Sequence, residues 1–150
     1  MIKIVVDDAD VRVLLGRIAG RVQNMSPIMR VIAGDLHDEV EENFEKEGRP
    51  SKWQDLAEST KKQRAKKGKW PGKILQVSAG GLASSVTPGS NAKSAWASSN
   101  KIYSAIQHLG GFAGRGHKAF IPPRPFMVLT DAGLEKIKDK LGKYAIEVTT

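Results

Sequence analysis

Ser26-Pro27-Ile28-Met29-Arg30-Val31-Ile32-Ala33-Gly34-Asp35-Leu36-His37-Asp38-Glu39-Val40-Glu41-Glu42-Asn43-Phe44 places an apolar side chain at every fourth position, at Ile28, Ile32, Leu36, Val40 and Phe44. That spacing returns one face of a helix to the same side on each turn, so the stretch predicts an amphipathic helix. Ser26 followed by Pro27 reads as an N-cap and a first helical residue, where a missing N–H costs nothing. Val31 and Ala33 flank the apolar row, while Asp35, Asp38, Glu41, Glu42 and Glu45 are expected on the opposite, solvent side. Gly48 and Pro50 should stop the helix after about 20 residues, or roughly 30 Å.

Toward the N-terminus, Ile2, Ile4 and Val6 alternate as in a short strand. Val11, Leu14, Leu15, Ile18 and Val22 then fit a helix from about Ala9 to Asn24, in which Gly16 and Gly20 weaken the helix or admit a close neighbour. Toward the C-terminus, a short polar helix is expected over Leu56–Lys67, ended by Gly68. From Lys73 to Ser104, the segments Ile74–Val77, Leu82–Val86 and Ser94–Ser99, punctuated by Gly80-Gly81, Pro88-Gly89 and Asn100, suggest a β-meander, although the first could be a helical turn. Tyr103–Leu109 reads as one or two helical turns, and Gly110 to His117 as a glycine-rich basic loop. Ile121-Pro122-Pro123-Arg124-Pro125-Phe126 must be extended, since each proline biases its predecessor away from helix. A last helix follows Asp131, with Leu134, Ile137, Leu141, Tyr144 and Ala145 as its buried stripe. Long N-terminal helices and a C-terminal helix around a small antiparallel sheet make an α+β fold, and 150 residues fit one domain over 1–150.

The net charge of +8 is laid out unevenly. Residues 1–60 carry 8 basic and 12 acidic side chains, residues 61–125 carry 12 basic and none acidic, and the remainder 4 of each. The middle therefore needs solvent, an acidic partner or the acidic first third. Lys61, Lys62, Arg64, Lys66, Lys67, Lys69 and Lys73, with Trp70 among them, are candidate phosphate contacts; a solvated basic helix and loop is the plainer reading.

Little points to catalysis. The chain has no cysteine, which removes thiolate nucleophiles and sulfur-ligated zinc. Of the histidines, His37 could pair with Glu41 at a metal but lacks a third ligand close in sequence, and His117 has no neighbouring carboxylate. No Gly-x-Ser-x-Gly elbow occurs. Gly114-Arg115-Gly116-His117-Lys118-Ala119 spells part of a dinucleotide fingerprint but leads into Phe120-Ile121-Pro122-Pro123 instead of a helix. Gly68–Lys73 is one residue short of a phosphate loop and is followed by Ile74 where Ser or Thr would hold magnesium. No catalytic residue, cofactor or metal is expected. No apolar run approaches the roughly 18 residues of a membrane span, and no secretory signal opens the chain, which suggests cytosolic synthesis.

Four blocks remain: Phe44 with Gly48, Pro50, Trp53, Leu56 and Thr60; Ile74–Ser78 with Gly81, Leu82 and Ser85; Tyr103–Ile106 with Gly110 and Gly111; and Ile121–Phe126. In this order and spacing the chain resembles the phage virion morphogenesis, or tail completion, family of Mu-like and P2-like bacteriophages and prophages, over about Val31 to Leu141. The family usually reads Ile-His-Gln before its Gly-Gly, whereas this chain has Ile106-Gln107-His108-Leu109.

The resemblance implies a small non-enzymatic protein that finishes the head-proximal end of the tail or neck for head–tail joining. It would work in the host bacterial cytoplasm during assembly and remain on the virion tail or neck. It also implies a ring homo-oligomer, with a hexamer as one closure, and partners among tail tube or terminator proteins and head–tail connectors. Trp53, Gly110, Gly111, Pro122, Arg124, Pro125 and Phe126 are its motif and candidate interface residues. Acidic and basic regions on one protomer suit head-to-tail association, and a basic surface could also touch passing DNA without reading sequence. Prolines stiffen the Pro122–Phe126 segment, which either presents Phe126 and Arg124 to a partner or plugs this domain's own core while Arg124 caps a helix. Trp53 has the same two readings, anchor or core.

Overall fold

The computed structural model describes residues 9–146. Among them run α1 (Ala9–Gln23), α2 (Ser26–Glu45), α3 (Glu58–Lys66), β1 (Val86–Ser90), β2 (Ala95–Ser99), α4 (Ser104–Leu109), β3 (Gly111–Ala113), β4 (Ala119–Ile121) and α5 (Asp131–Ile146). The class is α+β. The strand expected at Ile2–Val6 lies outside the described residues.

The four-residue row of α2 organises the packing. Its first half, Ile28 and Ile32, meets Ile137 of α5, with Leu36, Leu141 and Tyr144 packed around them. Its second half, Val40 and Phe44, joins Trp53, Ile74, Leu82, Val86 and Phe126 in a larger cluster. The helix spans 20 residues as its periodicity predicts, but Met25 is the capping residue, so Ser26 is already helical; Ser26 N donates to Asn24 Oδ1 at 3.3 Å. At the other end Gly48 N donates to Asn43 O at 2.9 Å. Gly48 has φ +109°, and a Cβ there would lie 2.6 Å from Ser51 O, which is why glycine stands at this stop.

Asp35, expected in solvent, is instead buried at 6% exposure between α2 and α5. Lys136 and Lys140, one turn apart on α5, reach its two carboxylate oxygens at 2.9 and 2.7 Å. A carboxylate that is paired and hydrogen-bonded in this way can be buried without orphaning a charge.

The sheet region differs most from the sequence reading. In place of a three-segment meander there are two separate antiparallel hairpins, β1–β2 and β3–β4. Ile74–Val77 is irregular, and Ala83–Ser85 forms a 3₁₀ turn leading into β1. Pro88 and Gly89 are inside β1 and do not break it. A two-stranded ribbon tolerates proline because each strand has a free edge. Gly89 lies under Trp96, whose Nε1 would sit 2.5 Å from any Cβ placed there. The supposed glycine-rich loop is the second hairpin, in which Phe112 pairs across the strands with Phe120. Helix α1 forms where expected, but none of its residues is buried, and Val11, Leu14, Leu15 and Val22 of its apolar stripe are exposed. It touches α5 through Arg21, whose Nη1 donates to Tyr144 O at 2.5 Å. Among the described residues, and apart from the helix's own backbone, nothing lies within 4 Å of where a Cβ on Gly16 or Gly20 would stand.

Candidate functional site

The motif residues, spread over some eighty positions of sequence, converge on one knot. Phe126 is 1% exposed, stacked on Phe44 at 5.0 Å between ring centroids and edge-on to His108 at 5.2 Å. Trp53 meets Phe44 edge-on at 5.9 Å and donates its Nε1–H to Pro125 O at 3.1 Å. Both aromatic side chains therefore fill this chain's own core, the second of the two readings. Arg124 does not cap a helix C-terminus. Its Nε and Nη2 donate to Gln54 O, at 3.2 and 3.1 Å, and Nη2 also to Asp55 O at 3.4 Å, in the loop ahead of α3. Burial pushes the Arg124 guanidinium below the ordinary arginine value, and the charge of Arg64 lowers it further.

Gly110 and Gly111 let α4 turn into β3 beside the proline segment. Gly110 has φ +74°, and a Cβ on it would stand 2.7 Å from Pro123 N and 2.9 Å from Ile121 O. Pro122 lines an open cleft beside Arg124.

Two residues absent from the motif reading hold the knot. Asn43 is fully buried; its Nδ2 donates to Phe126 O and Val128 O, both at 2.9 Å, and its Oδ1 accepts Arg49 Nε at 2.8 Å. Arg49 also pairs with Glu39 and Glu42. His108 Nδ1 accepts the amide N–H groups of Phe126 and Met127, at 3.3 and 3.4 Å. The order Gln107-His108 thus puts an imidazole against the proline segment's backbone. No local pattern in the sequence marks Asn43 for this role.

Two titrations follow from these contacts. Burial lowers the pKa of His108 below the ordinary 6.5, because Nδ1 must stay an acceptor in an apolar setting. Between its folded and unfolded values the unfolded chain binds the proton more readily, so this stability is complete above 6.5 and drains as pH falls below it. For Asp35, burial pulls the pKa upward, but the hydrogen bonds and charges of Lys140 and Lys136 outweigh it and hold the carboxyl below 3.8. Its contribution is complete above that value and is lost only in stronger acid. Thermal melts against pH should therefore show two separate declines; His108→Gln should abolish the upper one, and Asp35→Asn should reduce the lower, to which Glu42 and Asp55, also held below their ordinary values, contribute.

The basic segment divides in two. Lys61 pairs with Asp55 at 2.7 Å and Glu58 at 2.9 Å and lies 5.6 Å from the Trp70 ring centroid. Arg64 gives Nη1 and Nη2 to Lys73 O and Ile74 O, at 3.1 and 2.7 Å, and Lys73 donates to Glu45 O. Lys62, Lys66, Lys67 and Lys69 are exposed. Among the described residues the side chains of these four make no hydrogen bond or ion pair.

Among the described residues, His37, Asp38 and Glu41 each bring one potential metal-ligand atom within 4.8 Å of the others, Asp38 supplying the third member that sequence alone did not give. His37 Nε2 lies 3.2 Å from Val86 O and its Nδ1 4.0 Å from Glu41. Both carboxylates are exposed.

Side chains that brace one another around a buried segment, with the motif spent on that bracing, define a rigid structural module. The chain belongs to the phage virion morphogenesis family, whose sequence profile matches residues 6–145. It is 36% identical over 149 residues to the Mu-like prophage FluMu G protein 2 of Haemophilus influenzae, covering 96% of each chain. It is also 36% identical over 132 residues to FluMu G protein 1 of the same bacterium, covering 86% of this chain and 85% of the relative. To the putative capsid assembly protein G of Escherichia phage Mu it is 34% identical over 128 residues, covering 83% of this chain and 81% of the relative. No solved structure matches significantly. Among the described residues no helix is long and apolar enough to cross a membrane.

Proposed function

We propose that this chain is a non-enzymatic assembly protein that completes the head-proximal end of the phage tail or neck so that the tail joins the head, acting as a closed ring of identical copies. The observation that carries this is where the motif goes: Trp53, Arg124, Pro125 and Phe126 brace one another and the backbone around them, which suits a part that must keep its shape against neighbours. The name of the Mu relative, a putative capsid assembly protein, supports a place next to the head. Unequal charge along the chain supports head-to-tail contacts, which close into a ring when the rotation permits, a hexamer being one such closure. Its partners are then a tail tube or terminator protein on one side and a connector on the other, met in the host cytoplasm and kept on the virion.

A prophage deleted for this gene should accumulate separate heads and tails, and the purified protein should restore joined particles in a mixed lysate. Full joining without it would overturn the reading. The alternative, sequence-independent DNA contact, has Lys62, Lys66, Lys67 and Lys69 to work with, and would show as salt-sensitive duplex binding lost when those four are neutralised.

A further inference from the structure

Two sets of charges on each protomer lack ion-pair partners. On α2, Asp38, Glu41 and Glu45 stand at i, i+3 and i+7, one stripe of the helix. Among the described residues none has a lysine or arginine within ion-pair distance, and Glu41 has only His37, at 4.0 Å. The stripe lies on the side away from the buried row Ile32, Leu36 and Val40.

The cationic counterpart is an open cleft of about 610 Å³ between the segment 54–64 and the segment 120–124. Three cations, Lys61, Arg64 and Arg124, and two carboxylates, Asp55 and Glu58, line it, which leaves the cations in excess. Lys61 is already neutralised by Asp55 and Glu58. The hydrogen bonds of Arg64 and Arg124 all go to backbone carbonyls, which solvate a guanidinium without cancelling its charge, and Asp55 acts on Arg124 only through space. Arg124 is only 5% exposed, yet its Nη1 makes no hydrogen bond. Among the described residues no fully buried side-chain nitrogen goes without a partner, so Nη1 keeps some exposure, and Arg124 lines the cleft. The half-buried Arg64 and the buried Arg124 repel each other, and an entering anion relieves that cost. Leu75 and Phe120 supply apolar wall, Phe120 with 60% of its surface exposed.

We propose that the Arg64–Arg124 cleft is a socket for a second copy of this chain, entered by Glu41 and Glu45 of that copy's α2. Carboxylates at i and i+4 lie roughly 6 Å apart on one face, a spacing suited to a pair of guanidinium groups. The occupant follows from charge: residues 61–125 carry no acid of their own, and the surplus of acid is in residues 1–60 of the same sequence. This rests on the reading that the protein self-associates and specifies the contact.

The absence of cysteine makes the test clean. Glu45→Cys and Thr60→Cys proteins, mixed under mild oxidation, should give a covalent dimer that neither gives alone. Arg64→Glu should weaken self-association by at least about tenfold, with thermal melts confirming that it folds, and mixing it with Glu41→Lys/Glu45→Lys protein should restore association. Assembly of Arg64→Glu at unchanged affinity, with no mixed crosslink, overturns the socket while self-association stands. Weakening without rescue or crosslink assigns the cleft to another anion and also overturns it. A chain that stays monomeric alone and on purified tails removes self-association itself, and the socket with it.

Discussion

Phe126→Ala should cost about 4 kcal/mol of stability, which for a chain of this length lowers Tm by roughly 8–16 °C. The ring is 1% exposed, lies against Phe44 and His108, and belongs to the larger core cluster, so truncation opens a cavity where α2 and the proline segment meet. Surrounding groups are poorly placed to collapse into it, since the backbone on either side is tied to other elements: Pro125 O to Trp53 and Phe126 O to Asn43. Phe126→Leu should recover part of the loss. Differential scanning calorimetry decides between the two roles open to this segment in sequence. An unchanged melting temperature, together with lost head–tail joining, would return Phe126 to a partner's pocket and contradict its placement in the core.

Asn43→Ala should be about as damaging, costing roughly 3–5 kcal/mol. It deletes two donors and one acceptor at once, leaving Phe126 O and Val128 O without this donor and removing a partner of Arg49. The fully buried site gives water little chance to replace them. Asn43→Asp sharpens the test. At neutral pH its carboxylate keeps Arg49 but opposes two carbonyl oxygens, and acidification should return one donor and part of the stability. Urea melts at two pH values measure both effects. An Asn43→Ala protein within about 0.5 kcal/mol of the parent, the range usual for surface positions, would show that the knot is not held as described.

The elements that sequence revealed were those with a periodic signal. The α2 row of Ile28, Ile32, Leu36, Val40 and Phe44 is one, and its contacts lie where the period places them. Asp35 was hidden because its partners, Lys136 and Lys140, are about a hundred residues away, and no local pattern distinguishes a carboxylate awaiting them from a solvated one. The β3–β4 hairpin was hidden for a different reason. Three-residue strands give almost no alternation to read, and the glycines around them resemble loop residues. Gly89 shows how such a residue misleads: it provides space for Trp96 and makes no turn. In the candidate site, the motif residues were legible as a pattern, but their orientation was not. Burial of Trp53 and Phe126, and the use of Arg124 on backbone carbonyls, depend on contacts across some seventy residues of sequence. His108 and Asn43 carried no signature of their own, because a single acceptor and a single amide become necessary only once the backbone groups they satisfy are brought to them.

In the proposed function this protein is a shaped part among identical copies at one end of the tail. Mass photometry and negative-stain microscopy of the purified chain mixed with tails from the deleted prophage test it most directly. A closed oligomer of one defined mass, seated at a single end of each tail, is the expected result. A monomer at every concentration that leaves both tail ends bare would contradict it.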